Sequence, residues 1–440
     1  MSWVFCMRFR LIRLTLMFGA IPAAVHGQDG RVSAGPVIIA SPEQAVTAAM
    51  VRSPALRGAG ASRQAVRGDA LAAPLRPNPE ASVLVEDFGG LGGRADFRGA
   101  RAAQTTAGVS QRIELGGKRA ARISLAGRSG DVAGLDYEAA RLDLARDVLT
   151  ALAEATAAAR NIKVEQERVT LADLTVRIAR ARVDAGREPL LQLRRAEVTR
   201  SNAETSAERA RREAAVSLRN LSVLIGAPMI ELAPQQAWFE DVGSAPRPPV
   251  PADPLLRLSA NPDFARLEAA IVQQRANIDL QRANAIPDVS VQGHVRRFEQ
   301  GRQTAFVAGV SIPLPIYDRN QSGIARAQAE LLRAEAEAER GRLALAASLI
   351  NAERRIDLAW RTVSNLRRVA LPAAEQATRL ATIGFAEGKF TFLEVLDAQR
   401  ALSDTRAQLN EALREFHARR AEAERLSGQQ PGVMPTGRIP

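Results

Sequence analysis

The sequence predicts a mainly α fold with a small β part, built as a duplicated unit in which two β-strands precede a long coiled-coil helical hairpin. Three observations carry this. The chain of 440 residues has only 4% aromatic residues, with Ala, Arg, Glu and Leu dominating much of its length, a composition suited to long helices with seams of small residues. Residues 135–185, 190–225 and 389–427 contain neither Gly nor Pro. The pattern of the first half also returns in the second.

The chain opens with Arg8, Arg10 and Arg13, followed by a short apolar run from Leu14 to Ala24 and small residues at Ala23, Ala24 and Gly27. This pattern predicts an export signal over residues 1–27, too short to span a bilayer core of about 30 Å as a helix. The competing reading is a buried N-terminal helix. The single cysteine, Cys6, lies inside this leader, so the mature chain is expected to lack disulfides and thiolate metal sites. No later segment has the 18 consecutive apolar residues of a transmembrane helix. The net charge of +12 invites a nucleic-acid reading, but a basic exported chain is not thereby a nucleic-acid binder.

The first repeat is expected over 41–226. Ser41-Pro42-Glu43-Gln44 opens a helix, with Ser as N-cap, Pro at the first helical position and Gln three residues past the cap. Strands are expected at about 81–88 and 105–115. In the second, Ala107, Val109, Ile113 and Leu115 point one way, and Gly108, Ser110, Arg112 and Glu114 the other. Residues 135–185 follow, a rod of about 75 Å if helical. Val164, Leu171 and Ile178 give it a heptad seam, and its hairpin turns near Gly186. Residues 227–254, with prolines at 246, 248, 249, 251 and 254, read as a connector and not a core element.

The second repeat is expected over 255–427, with strands at about 289–298 and 304–312 and a hairpin tip near Gly388. Val289, Val291 and Val295 oppose Ser290, Gln292, His294 and Arg296. Val395, Leu402, Leu409 and Phe416 repeat every seven residues. Four echoes in the same order tie the halves together at a spacing of roughly 200 residues. Ser53-Pro54 answers to Asn261-Pro262, Pro79 to Pro287, Gly108-Val109-Ser110 to Gly309-Val310-Ser311, and Gly186 to Gly388. The tail, 428–440, rich in Gly and Pro, is expected to be disordered.

These strands fit two settings equally: half-buried strands of a soluble sheet, or an outer-membrane barrel with an apolar outer and a polar inner face. Four strands cannot close a barrel, for which about eight is the minimum, so a barrel would have to be shared between chains.

Leader, duplication, paired strands and paired hairpins together resemble the TolC family of outer-membrane efflux proteins, and most closely its CzcC-like heavy-metal branch. The likeness spans the mature chain. It is carried by Leu75–Glu80 (LRPNPE), Glu86–Gly90 (EDFGG), Glu114–Arg119 (ELGGKR) and Pro313–Gln321 (PLPIYDRNQ). The resemblance implies a homotrimer whose twelve transmembrane strands form one barrel in outer-membrane lipid, continued by a helical tunnel through the periplasm. It implies a periplasmic adaptor (membrane fusion protein) docking at the Gly186 and Gly388 tips, and a proton-driven inner-membrane pump of the resistance–nodulation–division (RND) class. Ser110, Arg112, Glu114, Ser290, Gln292, His294 and Arg296 would then face the barrel lumen. Phe392–Ala398 (FLEVLDA) is similar to the family segment bearing two acidic aperture residues, here Glu394 and Asp397; the relatives carry Asp at both. Three apart on a helix, these two share a face, and such rings would select cations.

No enzyme is marked out. His26 falls at the leader boundary, and His294 and His417 have no Cys or second His at ligand spacing. No Ser has a partnered histidine. Gly89–Gly93 (GGLGG) lacks the Lys-Ser/Thr of a phosphate loop, so neither a cofactor nor a resident metal is expected. A periplasmic adaptor would have one hairpin beside a lipoyl-like domain. A basic coiled-coil nucleic-acid binder would have neither leader nor alternating strands. Within the duct reading, drug efflux or type I secretion remains open beside metal export.

Overall fold

The computed structural model describes residues 36–88, 102–234, 236–245 and 253–429. The expected leader, the Gly89–Gly93 loop and the tail from 430 onward lie outside the described residues.

Each half begins with helices that end at a strand pair. After β1 (Val37–Ile39), α1 (Pro42–Arg52) starts at Ser41, whose hydroxyl accepts from the Gln44 amide at 3.3 Å, while the Gln44 side chain accepts from the Ala40 amide at 3.0 Å. Pro54 breaks the helix and starts α2 (Pro54–Ala72). Then come β2 (Glu80–Glu86), β3 (Gln104–Ile113), and the hairpin of α3 (Lys118–Asp184) and α4 (Leu190–Ile225). A linking stretch holds β4 (Ile230–Leu232), α5 (Ala237–Glu240) and α6 (Pro254–Arg257). The second half repeats the plan with α7 (Pro262–Asn284), β5 (Val289–Phe298) and β6 (Gln303–Ser311). Its hairpin is α8 (Gln321–Asn365), a π-helical turn at Leu366–Ala370, α9 (Leu371–Ala386) and α10 (Phe392–Leu426).

Both rods run through residues that break helices by propensity. α3 runs 67 residues and passes through Gly127, Gly130 and Gly134, where a Cβ would meet nothing within 4 Å. Each such glycine costs a helix about 1 kcal/mol, and lateral packing on α2 and α7 offsets it. The α8–α9 rod passes Pro372, which lacks an amide and crowds the preceding turn; the widened π turn just before it makes the room.

The seams differ in detail from the heptads. On α10, Val395, Leu402 and Phe416 are buried. On α3 the centre is taken by Ala172, Thr175, Val176 and Ala179, with Leu171 and Ile178 half-buried at its flank. Several helices meet along this face, and small residues let their backbones approach closely.

The stretch read as a connector supplies core in its first part. Ile230 joins a cluster with Val46, Val148, Leu152 and Leu221, and β4 pairs in parallel with β1. Phe239 is fully buried against Val363, Leu413 and Phe416. The proline cluster from Pro246 onward follows these residues in sequence, so the core positions precede it. At the same level Asn261, fully buried, accepts from the Asp263 amide at 2.7 Å and donates to the Leu426 carbonyl at 2.7 Å. This ties the start of α7 to the end of α10.

The four long strands form one antiparallel sheet in the order β2-β3-β5-β6. Register sets Val83, Ala107, Val295 and Phe306 side by side on one face, and Ser82, Gly108, His294 and Val307 on the other. The first face also carries Val85, Val109, Ile113, Val291 and Val310. It is exposed in this chain, with Phe306 87% accessible. Among the described residues β2 and β6 are edge strands, each pairing on one side only.

Candidate functional site

Two regions hold the residues singled out by the sequence: the polar sheet face and the ends of the two hairpins.

On the sheet, Ser110, Arg112, Ser290, Gln292, His294 and Arg296 share the polar face, because cross-strand pairing aligns Ser110 with Gln292 and Arg112 with Ser290. Arg296 donates to the Thr106 hydroxyl at 3.0 Å and lies 3.7 Å from Glu86. Small residues make room for large ones. The His294 ring lies over Gly108, where a Cβ would come within 2.1 Å of Nδ1, and Gln292 lies over Gly309 in the same way. Glu114, grouped with this face by its alternation, falls one residue past β3. There its carboxylate pairs with Arg122 of α3, beside a Lys118–Asp288 pair, and braces the sheet against the rods.

At the hairpin ends, Gly186 and Gly388 take φ values of 66° and 79°. A side chain would meet nothing within 4 Å at either glycine, so left-handed backbone and not lack of space requires glycine there. The Arg187 amide donates to the Arg182 carbonyl at 2.9 Å, and the Lys389 amide to Gly384 at 2.7 Å, closing both helix ends alike. The rims of the tips expose Leu190, Leu191, Phe390 and Leu393.

Glu394 and Asp397 are both exposed on α10, opposite the buried Phe392, Val395 and Gln399. Glu394 has a task that the resemblance did not suggest. Its carboxylate accepts from the Thr391 amide at 2.6 Å and hydroxyl at 2.8 Å, and its amide donates back to the Thr391 hydroxyl at 3.4 Å. This capping box was legible as Thr-x-x-Glu. The bonds from Thr391, the backbone amide first, hold the Glu394 carboxyl below its ordinary range. It stays ionised through mild acid.

Between tips and sheet lies a belt of rings. His417 is buried among Trp238, Phe239 and Phe416, and its Nε2 lies 2.9 Å from the Phe239 carbonyl, which fixes that nitrogen as the donor. Burial, aided by nearby Arg420, pushes its pKa down to about 4. As pH falls through the ordinary value near 6.5, the unfolded chain gains a proton that the folded chain refuses until about 4. The neutral ring's contribution is therefore complete above 6.5, declines between 6.5 and 4, and is spent below. At about 1.4 kcal/mol per pKa unit it is of order 3 kcal/mol. Between pH 7 and 4, His417→Gln should lose less of its melting temperature than the parent, since the amide still donates to Phe239. Equal losses would show that His417 is not the group responsible.

Among the described residues no group of three or more His, Cys, Asp or Glu could hold a metal ion, and no helix is long and apolar enough to cross a membrane.

The comparison with known proteins follows the same duplication. The model of the outer membrane efflux protein family matches residues 45–227 and again 256–429. The chain belongs to the outer membrane efflux protein family. It is 31% identical to the cobalt-zinc-cadmium resistance protein CzcC of Cupriavidus metallidurans, over 91% of this chain and 92% of that protein. It is 28% identical to the nickel-cobalt-cadmium resistance protein NccC of Alcaligenes xylosoxydans xylosoxydans, over 67% of this chain and 63% of that one. Among solved structures, CusC superposes with a TM-score of 0.75 at 18% identity, covering 88% of this chain and 92% of CusC. VceC of Vibrio cholerae gives 0.70 at 18%, covering 88% and 96%. As an outer membrane efflux protein, the chain is placed in the outer membrane.

Proposed function

We propose that this outer membrane efflux protein is a passive duct for divalent heavy-metal cations, three copies of which share one barrel. The observation that carries the reading is the sheet: four strands with two edges and an apolar face that are left unpaired and exposed among the described residues. Pairing β6 of one copy with β2 of the next removes both edges. Twelve strands would put the valines and Phe306 against lipid and His294, Gln292 and Arg296 against water. Metal cations as cargo follow from the likeness to CzcC and NccC.

In this reading the helical rods continue the barrel as a periplasmic tunnel. A proton-driven RND pump in the inner membrane selects and energises the cation. A periplasmic adaptor seats on the tips, whose exposed leucines and Phe390 offer it an apolar rim. The tips splay, the ring of Glu394 and Asp397 widens, and the cation leaves; the duct performs no catalysis and needs no cofactor. The test is fractionation and mass determination in mild detergent. A heat-sensitive trimer from the outer membrane is expected, and a soluble periplasmic monomer would overturn the reading.

A further inference from the structure

A cavity of about 240 Å³ lies between the start of α1, the middle of α3, the short α5 and the last turns of α10. It adjoins the ring belt, since Trp238 and His417 form part of its wall. Leu149 and Ala421, both buried, complete the apolar part. Drug-sized ligands occupy about 300–1,000 Å³, so this space suits a smaller molecule with one ring or a short chain.

The polar lining is mostly acceptor. His417 is 8% exposed, and its Nε2 donates to the Phe239 carbonyl at 2.9 Å. Nδ1 therefore carries a lone pair, which meets no donor among the described residues. Burial holds the ring's pKa near 4, so that lone pair is present throughout the neutral range. Glu43 and Asp241, both exposed, add carboxylates, and Glu424 adds a third. Nearby donors are engaged: Arg420 Nε donates to Glu424 at 2.8 Å, and Trp238 Nε1 to Gln236. Among the described residues that line the cavity, Arg420 is the one cation against three carboxylates.

A buried acceptor without a donor is costly, and the surplus of carboxylates leaves the site negative. A guest that brings N–H donors and a positive charge answers both, and the quadrupole of the Trp238 ring attracts the same charge. A bare metal ion is not served, because among the described residues no group of three or more His, Cys, Asp or Glu could hold one.

We propose that this cavity binds a small primary ammonium compound, its apolar body against Leu149, Trp238 and Ala421 and its N–H groups directed to His417, Glu43 and Asp241. The site does not depend on the duct reading: one chain forms it, without any residue of the sheet or the tips.

The test uses the full chain in non-ionic detergent, with Trp238 as the reporter. Trp3→Phe and Trp360→Phe remove the other two tryptophans; Nε1 of Trp360 is buried without a partner, so phenylalanine gives up no hydrogen bond there. At neutral pH, phenethylammonium should quench Trp238 fluorescence along a saturable curve. Phenethyl alcohol, similar in shape but uncharged, should bind at least about tenfold more weakly. Glu43→Gln combined with Asp241→Asn keeps an acceptor for the Gly243 amide. This double variant should weaken the ammonium at least about fivefold while the melting temperature holds. Ala421→Leu, which fills the cavity, should abolish the saturable phase. Quenching that never saturates, equal binding of the alcohol, or unchanged affinity in the double variant would each overturn the site. Saturable binding that survives Ala421→Leu would place the guest elsewhere and overturn it as well.

Discussion

Arginine in place of Val295 should remove the protein from the outer-membrane fraction, whereas arginine in place of its neighbour His294 should leave it there. The two positions differ by one residue in β5 and by 180° in direction. Val295 stands mid-strand on the apolar face, level with Val83, Ala107 and Phe306. A lipid-facing arginine near the bilayer midplane costs about 2–4 kcal/mol per copy, hence about 6–12 in the proposed trimer. That rivals the whole stability of an ordinary domain. At His294 the same side chain can lay its stem over Gly108 and keep its charge in the aqueous lumen. The measurement is membrane fractionation with heat-sensitive mobility of the assembled form. If Val295→Arg assembles in the outer membrane as well as His294→Arg does, the apolar face is not a lipid face.

This contrast also marks how far the sequence alone could be read. The alternation over Val289–Arg296 separates the two faces without any structure, because a strand turns every side chain by half a turn. What alternation does not contain is an ending. Glu114 continues the polar pattern of β3, yet the strand stops at Ile113 and the carboxylate turns to Arg122. The rods show the converse. Gly127, Gly130, Gly134 and Pro372 are breakers by propensity, but the helices run through them because packing along a long rod outweighs about 1 kcal/mol at each glycine and a π turn makes room for the proline. Heptad counting found the buried face of α10 in Val395, Leu402 and Phe416. On α3 it selected Leu171 and Ile178, whereas the centre of the seam is Ala172, Val176 and Ala179. Alanine carries little hydrophobic signal, and only the neighbouring helices show that it sits where they come closest. Phe239 was hidden for a related reason: the nearby prolines look like a linker, and its partners Val363, Leu413 and Phe416 lie over a hundred residues away. At the candidate aperture, the spacing of Glu394 and Asp397 places both on one helix face. The contact of Arg182 with the Phe385 ring spans two hairpins, and no local pattern announces it.

Neutralising Glu394 and Asp397 should lower the cation selectivity of the proposed duct without unseating the helix, provided that the substitution respects the cap. Glu394 serves as a surface charge and as the third residue of a capping box with Thr391. Alanine would remove both, and the lost cap, costing roughly 1 kcal/mol, would loosen the first turn of α10 beside the tip. A conductance change in Glu394→Ala would therefore not report on charge. Glutamine still accepts from Thr391, since Gln serves at this position of a capping box as Glu does. The informative variant is Glu394→Gln with Asp397→Asn. It takes two negative charges from each chain and leaves the helix start intact. In planar bilayers at about 10 mM salt, where screening extends roughly 30 Å, the permeability ratio of cations over anions should fall about three- to tenfold. At 1 M salt, where screening falls to about 3 Å, parent and variant should converge. The proposed trimer should persist, because neither side chain is buried. A ratio unchanged at low salt would place the selective constriction elsewhere along the duct and leave Glu394 the single role of capping α10.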